Sequence, residues 1–257
     1  MKRSLLTGIL ALAAGASGLL AQGAAAGPKQ PTPKSQGELQ ALQAMFAAQQ
    51  SNNPDAIIKA AEDLLTKYAD TEFKDVAFLF EAQAYKAKND TPKAEVFGER
   101  VLQSNPNSFQ ADLLLGELIV HDTRENDLDR EDKLGKAEKY FNAAIAAIKA
   151  SPKPNPQITD EQWADAQSQV MGEAHNGIGM ANLTRKKYDA AITAFKAANE
   201  VDPKEPAYLA RLASAQLSAG KNEDAIATAD KVLAMPELHP QIKSLVTNIK
   251  AQASAKK

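Results

Sequence analysis

The sequence predicts an all-α chain built from repeated helix pairs, and three observations predict it. The 257 residues are 44% hydrophobic but only 5% aromatic; Ala-rich segments favour helix, whereas strands draw on β-branched and aromatic residues. No stretch alternates apolar and polar residues at period two for long enough to argue a strand. Between residues 173 and 236 one helical-hairpin pattern occurs twice, as EAHNGIGMANLTRKKYDAAITAFKAANEVDP and AYLARLASAQLSAGKNEDAIATADKVLAMP. Ala191-Ile192 falls on Ala225-Ile226 at an offset of 34, and the same offset brings Ile178 onto Leu212, Gly179 onto Ala213 and Ala198 onto Val232. Such a fixed period marks units that bury their apolar faces by stacking on one another.

Gly179, Tyr188, Ala191, Ile192, Phe195, Ala198 and Pro203 carry a closer likeness. In this order the chain resembles the tetratricopeptide repeat family, which puts a small residue where paired helices touch, aromatics in the hairpin core and Pro after the second helix. His175 stands where the family usually has Trp. The resemblance implies an α-solenoid, a right-handed superhelix of about five helix pairs plus a C-terminal capping helix. Repeats are expected at about 38–70, 73–106, 108–151, 160–203 and 205–236, with the cap at 238–254.

Residues 1–26 stand apart from that fold. Lys2 and Arg3 form a basic start, Leu5 to Leu20 an apolar run diluted by Gly and Ser, and Ala24-Ala25-Ala26 a small-residue cleavage site. That order is expected of a signal peptide; as a membrane anchor the run is short. The chain has no Cys, hence neither disulfides nor a lipidation site at that boundary. The expectation is an exported, soluble protein, periplasmic or secreted, not a lipoprotein, with no stable membrane insertion after cleavage. Cleavage would remove Lys2 and Arg3 and no acidic residue, taking the formal charge from −2 to −4. Nucleic acid and anionic membrane faces need a basic stripe, so neither is expected as the main partner.

Residues 27–37, GPKQPTPKSQG, hold three prolines and no large apolar residue and read as a disordered spacer. From Glu38 the pattern turns helical, with Leu39, Leu42, Met45 and Phe46 at three- and four-residue steps. Asn53-Pro54 restarts a helix, Asn as cap and Pro at the first position. A second hairpin places Phe78, Ala82 and Tyr85 on its first helix, and Thr91-Pro92 opens its partner. Gly116 follows Ala82 by 34 residues and starts a third repeat, whose second helix is delayed to about residue 136 by the charged insertion HDTRENDLDRED. That insertion reads as a solvated loop or helix extension, because it lacks the residue order of a calcium loop. After the helix-breaking SPKPNPQ, Thr159 and Gln162 fit a capping box, with Ile158 and Trp163 at the staple positions. Trp163 is read as that staple; exposed, it would be a partner anchor. His239-Pro240 opens the terminal helix, with Ile242, Leu245, Val246 and Ile249 on one face.

Enzymatic chemistry finds little purchase. His121, His175 and His239 lie in different repeats without partners at ligand spacing, and no nucleophile or phosphate-loop motif occurs. No enzyme activity, metal or cofactor is expected. The family resemblance instead implies partner contacts along the first helices, which in tetratricopeptide arrays line a concave groove. Carried over position by position, these contacts fall on Leu79, Gln83, Lys86, Leu113, Glu117, Val120, Asn176, Met180, Leu183 and Leu217, among others. The lining lacks the Lys/Asn/Lys/Arg set with which chaperone-binding relatives clamp a C-terminal carboxylate. An apolar groove with a polar fringe suits a protein or peptide segment. The same spacing equally suits packing between helices, for Leu79, Leu113, Val120, Met180 and Leu217 alike. The expected function is a non-enzymatic, protein-binding adaptor or assembly factor of the bacterial cell envelope. Two rivals are a self-associating structural subunit, which would be a homo-oligomer, and an enzyme or small-molecule binder using the irregular 121–172 region.

Overall fold

The computed structural model describes residues 31–255, so the expected signal peptide and the first part of the spacer lie outside the described residues. Eleven helices and no strand occur among them: α1 (Gln36–Gln50), α2 (Pro54–Lys67), α3 (Lys74–Ala87), α4 (Thr91–Ser104), α5 (Phe109–Asp122), α6 (Arg130–Ala150), α7 (Asp160–Thr184), α8 (Tyr188–Val201), α9 (Pro206–Ser218), α10 (Asn222–Leu233) and α11 (Pro240–Ser254). They come as five consecutive pairs and one terminal helix, the all-α class expected from the sequence. The described residues divide into two compact units, one made of 31–118 with 151–166, the other of 119–150 with 167–255.

In the first unit the helix starts are set by side chains. Ser35 caps α1 by accepting the Glu38 N–H, and Asn53 caps α2 by accepting from Asp55 and Ala56, with Pro54 at the first position. Asp90 caps α4 ahead of Pro92. Leu42, Met45, Ile57, Ala61, Leu64 and Phe80 form one buried cluster. Phe46 meets Phe80 edge-on at 5.5 Å between ring centroids, and Tyr85 stacks on Phe97 at 5.3 Å. Fully buried Glu38 accepts from the Lys34 N–H at 2.6 Å and the Thr71 hydroxyl at 2.6 Å. Together with the Lys34–Asp70 ion pair (2.9 Å), these bonds tie residues 34 and 35 to the turn after α2, so α1 begins two residues earlier than its apolar pattern. At the start of α7 the capping box forms reciprocally: Gln162 accepts from the Thr159 N–H at 2.9 Å, and Thr159 accepts from the Gln162 N–H at 3.1 Å. Ile158 is buried and Trp163 half-buried.

In the second unit α6 buries Leu134, Ala137, Phe141, Ala144 and Ile148, a stripe at three- and four-residue steps. It starts at Arg130, about six residues before its apolar pattern, so the last three residues of the charged insertion extend this helix, while 123–129 form the loop between α5 and α6. The physical reason is electrostatic. Glu131 and Asp132 sit in the first turn, where acidic residues favour the helix dipole, and Glu131 pairs with the Arg185 Nε at 3.2 Å. Arg185 also donates to Glu138 at 2.6 Å, Asn182 donates to the same oxygen at 3.0 Å, and Lys186 pairs with Glu125. The insertion is thereby fastened to the turn between α7 and α8. Small residues admit aromatic rings: a Cβ added to Gly179 would lie 2.6 Å from Phe195 Cδ1, and one on Gly177 would lie 2.6 Å from Phe141 Cε2. Terminal α11 buries Val246 against Ala210 and Val232, and Ile249 and Ala253 against Ala213 and Ala225. Its outer side leaves Leu245 44% exposed.

Candidate functional site

The first helices of the first unit are α1, α3 and the start of α5. Because the chain repeats at 34 residues, equivalent positions on neighbouring first helices come side by side, and polar side chains there bond across the seam. Gln49 of α1 donates to Gln83 of α3 at 3.3 Å, 34 residues apart. Lys86 of α3 pairs with Glu117 of α5, 31 residues apart. The second unit repeats the device: Arg211 of α9 donates to Asn176 of α7, 35 residues apart. Gln49 Oε1 is buried and finds no hydrogen-bond partner among the described residues.

The ten expected contact residues divide by chemistry. Gln83 and Asn176 are half-buried, and Lys86 and Glu117 are exposed; all four take part in these inter-repeat bonds. The apolar members turn inward. Leu79 (4% exposed) packs with Val101 and Ala111, and Leu113 is 7% exposed. Met180 and Leu183 pack against Ile192, Phe195 and Leu212, and Leu217 against Ala213 and Ile249. Val120 is half-buried. What the first-helix face offers in the first unit is therefore an amide pair and an ion pair, and in the second an amide–guanidinium pair, over a packed apolar base. Such a face presents donors and acceptors already held in place, which lowers the ordering cost of binding a segment.

Two carboxylates missed by sequence reasoning lie beneath the first-helix face of the first unit. Burial pushes Glu81, on α3, up to about 7, with Glu62 adding to the rise and Arg100 opposing it. Asp112, on α5, is likewise pushed to about 7 by burial and by Glu99. In sequence they resemble the other acidic residues of helices, and only burial separates them. His175, half-buried in α7, is held below its ordinary value by burial and by Lys149. Within the insertions the displaced carboxylates are held low instead, Glu125 by Lys186, Asp127 by the Arg124 N–H and Asp160 by Lys153. Among the described residues no group of three His, Asp or Glu side chains is placed to hold a metal ion, and no helix is long and apolar enough to cross a membrane.

Residues 182–249 match the family model described as tetratricopeptide repeat. No curated protein matches the chain in sequence. Among solved structures it resembles MamA (residue 41 to the end) from Desulfovibrio magneticus RS-1, at 16% identity over 77% of this chain and 94% of that one, with a TM-score of 0.59. It resembles TTC0263 of Thermus thermophilus, a thermophilic TPR protein, at 17% identity, 82% and 98% coverage and a TM-score of 0.56. PilW, described as a widely conserved type IV pilus biogenesis factor, aligns at 17% identity over 86% and 92% of the two chains, with a TM-score of 0.59. At these identities the likeness is one of fold: the chain has the tetratricopeptide solenoid fold.

Proposed function

We propose that this chain is a non-enzymatic adaptor or assembly factor that binds a protein or peptide segment along the first-helix face of its repeats. One observation carries the reading. The polar residues of that face, Gln83, Lys86, Glu117 and Asn176, bond across neighbouring first helices rather than folding back on their own. Within each unit, amide and charged groups fixed in this way can pair with the donors and acceptors of an extended partner chain. Buried Leu79 and Leu113 then support the face from below and touch the partner little. Export to the cell envelope rests on the basic start, apolar run and Ala24–Ala26 boundary. PilW, a pilus biogenesis factor by its description, is one protein with this fold that serves assembly; at 17% identity the likeness carries the fold and not the role.

The test exchanges the charges of the inter-repeat pair. Lys86→Glu with Glu117→Lys keeps an ion pair between α3 and α5 while inverting the pattern a partner meets. Affinity capture from envelope extract, with the protein and this double variant as baits, should retain a protein on the first and lose it on the second, at matched circular dichroism. Equal retention would place binding elsewhere.

A second reading is favoured by Leu245, exposed on the outer side of α11: self-association through the end of the array. Sedimentation of the chain with Leu245→Glu then shows a monomer where the unaltered protein shows a concentration-dependent dimer. The enzyme reading through 121–172 draws no support from the carboxylates there, since those displaced are held below the range that acid–base work near neutral pH requires.

A further inference from the structure

The second unit contains a cleft on the side of the repeats away from the first-helix face. Helices α8 and α10 form its walls and α9 its floor, and it is an open cleft of about 330 Å³, at the lower end of the range for small-ligand sites. On the floor lies Gln216, 5% exposed, with its Oε1 buried and without a hydrogen-bond partner among the described residues. Buried polar atoms are nearly always partnered, so this amide marks where a complementary group belongs. A carboxamide offers donors and an acceptor together, which is the complement of a main-chain peptide unit. Thr228 lines the same space from α10.

The walls add charge. Lys196 on α8 and Lys231 on α10 line the cleft, both exposed, and neither makes an ion pair within 4.0 Å among the described residues. At the 34-residue period Lys231 corresponds to position 197, one residue past Lys196, so the two lysines fall within one residue of the same level on neighbouring second helices. Leu212 of the floor lies between the two walls, an apolar rest for a side chain. Glu200 and Asp224 also line the cleft and make a long acidic run unwelcome.

We propose that this cleft is a second peptide site, taking an extended partner segment that carries a single carboxylate side chain. The carboxylate sits between Lys196 and Lys231, and the adjoining main-chain amide pairs with Gln216. The site does not depend on the first-helix reading, and either stands if the other fails.

The test is a titration of the ¹⁵N-labelled full chain with acetyl-Ala-Glu-Ala-amide, acetyl-Ala-Gln-Ala-amide and sodium acetate. The glutamyl peptide should shift the Gln216 side-chain NH₂ signals saturably, and the glutaminyl peptide should bind about tenfold more weakly. Gln216→Leu and Lys231→Ala should each weaken the glutamyl peptide about fivefold or more. The Lys86→Glu, Glu117→Lys variant should bind it unchanged. A saturable shift by acetate of equal affinity would reduce the site to a simple anion contact and overturn the proposal. So would the absence of any shift at about 10 mM peptide, or equal binding by both variants and the parent. Lys231 is exposed, so its variant decides the matter if Gln216→Leu fails to fold.

Discussion

Gly179→Ala tests the packing logic of the repeats at one atom. Gly179 lies in α7, and an added Cβ would stand 2.6 Å from Phe195 Cδ1 and 2.7 Å from Cζ. Phe195 is fully buried and the ring cannot swing into solvent. Overpacking of this kind costs about 3 kcal/mol at the upper end of its usual range, while replacing Gly in a helix interior returns about 1 kcal/mol. The net is a loss of about 2 kcal/mol. Gly135→Ala in α6 supplies the contrast, because the nearest atom to its added Cβ is Arg185 Nη2 at 3.8 Å. With ordinary contact and no clash, that variant should gain up to about 1 kcal/mol. Urea unfolding followed by circular dichroism reads both, with hydrogen exchange on α7 and α8 locating the effect, since repeat arrays do not always unfold in one step. Adding Phe195→Leu to Gly179→Ala should relieve the clash, so the double variant falls short of additive by about 1 kcal/mol or more. A Gly179→Ala protein as stable as the parent, or strict additivity in the double variant, would refute the reasoning.

Further expectations concern the buried charges and caps. Glu81 holds its proton in the folded chain up to about 7, against 4.5 ordinarily. Between those values the unfolded chain releases the proton first, so stability falls as pH rises from about 4.5 to about 7, by at most about 3 kcal/mol for this group. Thermal unfolding at about pH 5 and about pH 7.5 should show that loss, and Glu81→Gln should remove its share; a parent and variant with the same slope would contradict it. Arg185→Ala should cost about 2 kcal/mol, less than a fully buried pair because Glu138 and Glu131 keep 30% and 55% of their side-chain exposure. It should also speed proteolysis within residues 123–132, and an unchanged cleavage rate there would count against the clamp. Thr159→Ala removes the capping box at the start of α7 and should lower stability by about 1 kcal/mol in the same urea assay.

Local and periodic features were legible in the sequence because their physics is local or periodic. Asn53-Pro54, Thr159 with Gln162 and His239-Pro240 each start a helix through atoms within three residues, and each does so in the structure. Gly179 and Phe195 were legible through the repeat pattern, which fixes where one helix of a pair approaches the other. The start of α6 was not, since the contact that extends it joins Glu131 to Arg185 across 54 residues, outside the repeat period. Burial along the first helices was not legible. A first helix in a stack packs against its own partner and both neighbouring repeats, so its apolar stripe is wide, and spacing alone did not separate lining from core at Leu79 and Leu113. Glu81, Asp112 and Gln216 escaped notice for the opposite reason. Each looks like a surface residue, and burial by other helices is a tertiary fact.

Whether a partner lies along the first helices is decided by hydrogen exchange measured with and without the captured protein. Slowed exchange is expected to concentrate in residues 76–87, 110–121, 173–184 and 207–218, with α2, α4 and α11 unchanged. Protection confined to the second helices or to α11, with the first helices exchanging as in the free protein, would contradict binding along that face.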